Sequence, residues 1–293
     1  MRHNKEITAL LRLIDDPDGE VYDTVAKQIM HYGREIIPSL EALWEVMPDE
    51  EVQERIETLI HRVHFQDLQK EFDAWCRQPH PDMLRGAIII ARLHYPDINV
   101  GAILSQFDQM RRNIWLELNA YLTPLEQVNV FNSILYSYYK LNGHELTERE
   151  PKYFFINTVL ESRQGNAYTL GILYLSLCEL LDIPVFAVDL PRQFVFAYID
   201  ALQPFYSGHS KGVTQHVSFF VDPQNGGVYT QADVDSYLHK IHASDRDQYF
   251  MPLSAKRVIY KMLEELQLCY RYNRDDDKAD EVGELMRMIA VSG

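Results

Sequence analysis

Basic residues are scarce in this chain: 28 Lys and Arg stand against 43 Asp and Glu, a formal net charge of −15. Nucleic-acid and anionic-membrane binding rest on clustered Lys and Arg, so neither partner is expected. Cysteine is scarcer still. Cys76, Cys178 and Cys269 are an odd number with no CxxC pair. That argues against a disulfide framework or a zinc site, and no metal or other cofactor is expected. No apolar run approaches the ~20 residues of a membrane-spanning helix. Met1-Arg-His-Asn-Lys-Glu6 lacks the apolar stretch of a signal peptide. A reducing, cytoplasmic location is the expectation.

What the chain does have is an ordinary globular core composition, 46% apolar, over 293 residues. That length predicts two or three domains. Its centre is the stretch from Arg163 to Pro223. Leu170, Leu173, Tyr174, Leu177, Leu180 and Leu181 recur at three and four, the apolar face of a helix. Gly165 and Asn166 suit its start, where a short polar side chain caps free N–H groups. Asp182-Ile-Pro184 stops it, because the residue before a proline is pushed out of the α region. Val185–Val188, Phe194–Ile199 and Val217–Val221 then read as strands, with Pro191 between the first two and a turn at Asn225-Gly-Gly227. Helix followed by antiparallel strands makes an α+β core in a predominantly helical chain, with the strands ending at Ile199 and Asp222 expected to pair.

The flanks read as helices. Stripes at Ile7–Ile14, Val21–Met30, Ile36–Val46 (Leu40, Leu43 and Trp44 inward) and from about Glu50 predict paired helices, with Gly33 as a stop and Pro38 in a first turn. Met83–His94 and Val100–Ala120 follow, the latter with Trp115 and Leu118 on its stripe. Thr123-Pro-Leu-Glu126 is a capping box opening a helix to Leu141, whose Tyr138 and Tyr139 are expected against the central helix. Asn142–Pro151 reads as a polar loop. Thr230-Gln-Ala-Asp233 is a second capping box, and Ala255–Tyr272 with Lys278–Ile289 reads as a hairpin. Asp200–Thr214, with Gly208 and Gly212, reads as a mobile excursion at the rim of a cleft.

Three ordered motifs carry a family resemblance: Arg163–Leu170, Leu190–Phe194 and Asp222–Gly227. They resemble the Arg-x-Gly-Asn-Pro-x-x-Leu, Leu-Pro-x-His-Phe and Asp-Pro-Phe-x-Gly-Gly segments of the transglutaminase-like (papain-like) superfamily, in its SirB-type or core 2 branch. The first helices resemble HEAT repeats and the C-terminal hairpin a tetratricopeptide unit. The resemblance implies a HEAT-like domain over 1–80, a transglutaminase-like core with a helical lead-in over 81–250, and a helical hairpin over 251–293. It also implies that residues 167, 193 and 222 converge as a nucleophile–base–orienter set. Here the nucleophilic Cys position is Ala167, the His position is Gln193, and only Asp222 keeps its type.

An alanine methyl cannot attack and an amide does not titrate near neutral pH, so thiol acyl transfer lacks both its parts. Cys178 lies three turns past Ala167, ~16 Å along the axis. His216 is six residues before Asp222, ~20 Å at strand rise. Both separations exceed hydrogen-bond reach; His209 lies on the loop. Cleft or ligand-binding candidates are Arg163, Asn166, Tyr168, Thr169, Gln193 and Asp222. Arg163 has two readings, a structural arginine on carbonyls or an anion holder, and Asp222 reads as a turn cap or a cleft carboxylate. Two functions follow: a non-catalytic module for a protein or peptide partner, or an enzyme of altered chemistry using Asp222 with Tyr168, Thr169 or a loop histidine.

Overall fold

The computed structural model describes residue 7 and residues 9–16, 18–199, 217–243 and 247–292. His209, His216 and the Asp200–Thr214 loop lie outside the described residues. Two compact units divide the chain, Met1–Ala74 and Trp75–Gly293. In the first, α1 (Gly19–Tyr32), α2 (Ile37–Val46) and α3 (Glu50–Cys76) supply a core that includes Ile29, Leu40, Ile56 and Leu59. Gly33 ends α1 at φ +62, where a β-carbon would be strained. Trp44 departs from the expected inward place. Its indole N–H donates to Glu57 Oε1 at 2.9 Å, so the ring stays partly wet with its polar edge satisfied.

In the second unit the helices are α4 (Met83–Ala91), α5 (Val100–Glu117), α6 (Pro124–Asn132), α7 (Ile156–Ser162), α8 (Ala167–Leu180), α9 (Gln231–Lys240), α10 (Ala255–Tyr272) and α11 (Asp276–Ser292). Both expected capping boxes are formed, at Thr123–Glu126 and Thr230–Asp233. The helix expected to reach Leu141 does not stay α. It opens into a π turn over Ser133–Tyr138, Tyr138 is exposed, and Tyr136 turns inward instead. Trp115 is likewise exposed beyond the stripe of Ile103, Phe107, Met110 and Ile114.

The central helix is α8. Its leucines mark one apolar face and a buried, central place, and every residue from Ala167 to Cys178 is buried, with Leu180 reaching solvent at its end. A helix apolar on all sides is a core helix. It packs against α4, α7, α10 and the sheet. The sheet runs β3 (Val185–Leu190), β4 (Gln193–Ile199), β5 (Val217–Val221) and β6 (Val228–Tyr229), antiparallel throughout in that order. One face meets α8, with Tyr168 on Phe194 at 4.6 Å and Tyr174 against Phe196 at 5.1 Å between centroids. The other places Val188, Val195, Ala197 and Phe220 against Val234 and Leu238 of α9. Cover on both faces explains why β4 is a continuous apolar run rather than an alternating one. The Asn142–Pro151 segment is not only loop: β1 (Asn142–His144) pairs in parallel with β2 (Gln164–Asn166) just before α8.

Gly171 sets how closely α8 approaches the sheet. A β-carbon there would stand 2.6 Å from Phe194 and 3.2 Å from Phe196. Alanine in a helix interior gains about 1 kcal/mol over glycine, but forcing bulk into a packed core costs about 1–3 kcal/mol. Gly171→Ala is therefore expected to lower stability in a urea titration, and an unchanged or raised midpoint would contradict this packing.

Candidate functional site

Four local structures meet at the first turn of α8. Asn166 caps it, its Oδ1 accepting from the Thr169 N–H at 3.0 Å and from the Thr169 hydroxyl at 3.3 Å. The Ala167 methyl and the Tyr168 ring thereby face out of the first turn. Pro191 and Arg192 form the tight β3–β4 turn, with Arg192 at φ +63, and deliver Gln193 at the start of β4. Beyond Phe196↔Val221 the same register carries Asp222 to a place opposite Val195. Gln193 and Asp222 then share one sheet face as diagonal neighbours. Close contact of β1 with Gln224 closes the group, since a β-carbon on Gly143 would lie 2.4 Å from Gln224.

The result is a cavity of about 450 Å³ lined by Ala167, Tyr168, Gln193, Phe194 and Asp222 together with Glu145, Asp189, Arg192, Gln224, Lys261 and Glu265. Gln193 and Asp222 also border a second cavity of about 390 Å³ on the α9 side, with Tyr229 and Tyr237. No hydrogen bond joins Gln193 to Asp222 among the described residues; they face shared space. Asp222 is held firmly. Its Oδ1 accepts from the Gln224 N–H at 2.8 Å, and its own N–H donates to the Gly227 carbonyl at 2.8 Å. The turn behind it is anchored by Asn132 and the π segment. Asn132 Nδ2 donates to the Gly226 carbonyl at 2.7 Å, and the Tyr136 hydroxyl donates to the Pro223 carbonyl at 2.8 Å. Burial, with Asp222 nearby, holds the Tyr136 phenol far above its ordinary value.

A profile described as the transglutaminase-like superfamily, core 2, matches residues 101–264, more than half of the chain. The chain belongs to the transglutaminase-like superfamily. It is similar to two proteins named UPF0162 protein from Xylella fastidiosa, strains Temecula1 (ATCC 700964) and 9a5c, each 26% identical over 116 residues. Those matches span 39% of this chain and 40% of each relative, so the likeness covers about two-fifths of their length. No solved structure matches.

Within this superfamily core, the sequence candidates separate. Ala167, Tyr168, Gln193 and Asp222 line the cavity; Arg163, Asn166 and Thr169 do not. Arg163 ends α7 at φ +65, gives its carbonyl to the Asn142 N–H at 2.9 Å and lays its guanidinium over the Tyr139 ring at 5.7 Å. Thr169 is fully buried with its hydroxyl spent on Asn166. Burial raises the Tyr168 phenol, so it is no phenolate at neutral pH. All three cysteines are free and buried; burial raises the Cys178 thiol well above its ordinary value and pushes Cys269 up to about 11. Sequence reasoning missed Lys261 and Glu265, one helical turn apart on α10, and Asp189. Asp189 carried a readable signal, a charge inside an apolar strand. Lys261 and Glu265 carried none, because only the docking of α10 brings them here.

Lys261 Nζ pairs with Asp189 Oδ2 at 2.8 Å. Glu265 has no such partner among the described residues. Burial raises its pKa above the ordinary carboxylate value, Glu264 adds to the rise, and Arg149 and Lys261 only partly oppose it. A carboxyl raised in the folded state costs stability at pH above that raised value and nothing below the unfolded one. Glu265→Gln is therefore expected to raise the melting temperature at pH 7, with the gap to wild type closing as pH falls through the Glu265 titration. A lower melting temperature at pH 7 would contradict this electrostatic account. Asn132→Ala should cost about 1–3 kcal/mol in denaturant, since it strips the Gly226 carbonyl of its partner; a change near zero would mean that Asn132 does not anchor the turn.

Proposed function

We propose that this protein is a non-catalytic member of its superfamily, a module that binds a protein or peptide ligand in the cavity at the start of α8. One observation carries the reading: the cavity remains formed around Asp222 while a methyl group, Ala167, and an amide, Gln193, occupy the positions that the resemblance gives to nucleophile and base. Nucleophilic acyl transfer needs a thiolate and a titrating base in contact. The cavity offers neither, and raised thiol pKa values oppose a substitute thiolate at Cys178 or Cys269. The altered-chemistry alternative loses support for the same kind of reason, because the Thr169 hydroxyl is engaged and the Tyr168 phenol is held protonated. What is left is a concave surface with a fixed carboxylate, amides and an aromatic wall, the makings of recognition. The N-terminal helices, read as HEAT-like, and the C-terminal hairpin, read as tetratricopeptide-like, would add surface for a protein partner. We place it in the cytoplasm, where three unpaired cysteines are at home.

The test is turnover on a panel of blocked peptide amides, wild type beside the Cys76→Ser, Cys178→Ser, Cys269→Ser triple variant. No turnover by either is expected. Reproducible turnover lost in the triple variant would overturn the reading, and turnover kept in it would establish the altered chemistry instead.

A further inference from the structure

Charge in the cavity beside α10 is unbalanced. Lys261 is already matched to Asp189 at 2.8 Å, which leaves Glu145, Asp222 and Glu265 against Arg192 alone. Glu265 is half-buried, and no hydrogen bond or ion pair reaches it among the described residues; Arg149, Glu264 and Lys261 act on it through space. The Tyr168 ring, stacked on Phe194 at 4.6 Å, supplies an aromatic wall to the same space. We propose that this cavity takes a guanidinium group, with Glu265 as its counter-ion and Tyr168–Phe194 as its stacking surface.

The proposal rests on the reading of this cavity as a binding site and names the chemistry of its ligand. An anionic group would meet three carboxylates against one arginine and is opposed by repulsion. A neutral amide would leave Glu265 as costly as it is in the free protein. Between the two cations, the guanidinium suits the site better. It is planar, stacks on aromatic faces, meets a carboxylate through two parallel N–H bonds and is less strongly hydrated than an ammonium. A partly desolvated carboxyl beside an aromatic wall rewards each of those properties, whereas a lysine head would have to shed tightly held water to reach it.

Two sources carry the group, an arginine side chain in a peptide and a free small guanidine. The experiment is calorimetric titration of the full chain at low salt with blocked Gly-Arg-Gly, methylguanidine, and the Gly-Lys-Gly, Gly-Gln-Gly and Gly-Glu-Gly peptides. Binding of a guanidinium probe ahead of the other three is expected; the tighter of the two guanidinium probes identifies the source. Glu265→Gln should weaken that binding by about tenfold or more, while its melting temperature shows the fold intact. Asp222→Asn serves in its place if that variant does not fold. Equal or tighter binding of the lysine, glutamine or glutamate peptide, no binding of either guanidinium probe, or an unchanged affinity in Glu265→Gln would each overturn the proposal. A glutamine peptide bound in an Asp222-dependent way would leave the binding reading standing without the guanidinium. Thiol-dependent turnover would remove that reading itself.

Discussion

The close approach of α8 to the sheet is the constraint on which the cavity depends. Gly171 leaves no β-carbon between the helix and Phe194 and Phe196, and Tyr168 and Tyr174 settle onto those rings. That contact fixes where the first turn of α8 stands relative to the start of β4, and so how far Ala167 is from Gln193. It is apolar and non-directional, made of area and shape rather than of catalytic groups. The core therefore needs no thiol or imidazole to hold its form. An arrangement able to place a nucleophile beside a base can persist as an empty, well-shaped recess when the side chains of both positions are inert.

Asp222 is a different matter, because its position depends on polar contacts. Those contacts do not involve positions 167 or 193. They come from the Gln224 amide and from a turn pinned by Asn132 and Tyr136. Asn132, the last residue of α6, and Tyr136, within the π turn at Ser133–Tyr138, both reach that turn. Tyr136 points in to that turn while Tyr138 points to water. The carboxylate is thus oriented and open to the cavity.

How much of this was legible beforehand follows from the range of each interaction. Local signals were read well: the Asn166 cap, both capping boxes, the Ile183-Pro184 stop and the antiparallel pairing of β4 with β5 each rest on a few neighbouring residues. Ala167, Gln193 and Asp222 could be placed around one recess because three motifs in order fix a topology. Thr169 as a cleft candidate and the two readings of Arg163 share one root: nothing local distinguishes a polar side chain that faces a cavity from one engaged by a cap or a ring. The π turn has no local signature in the sequence, and the Pro223–Gly226 turn that Asn132 and Tyr136 reach lies almost ninety residues on. The short β1–β2 pair escaped for a similar reason; two three-residue strands have no periodicity to detect.

The wall built by α10 shows where the chemistry of the recess is decided. Lys261 and Glu265 sit at i and i+4, a spacing that ordinarily lets an acid and a base offset each other on one helix. Here Lys261 is drawn across to Asp189 of β3 instead. That choice does two things at once: it ties α10 to the edge strand, and it strips Glu265 of the cation nearest in sequence. Burial then leaves Glu265 with a raised pKa, a cost that the folded protein bears when nothing is bound. A charge held in that state is reorganised in advance for a cationic partner, so little further rearrangement is needed on binding. The superfamily core supplies the recess, and the helix outside its three motifs sets beside it a half-buried carboxyl whose neighbouring lysine is engaged elsewhere.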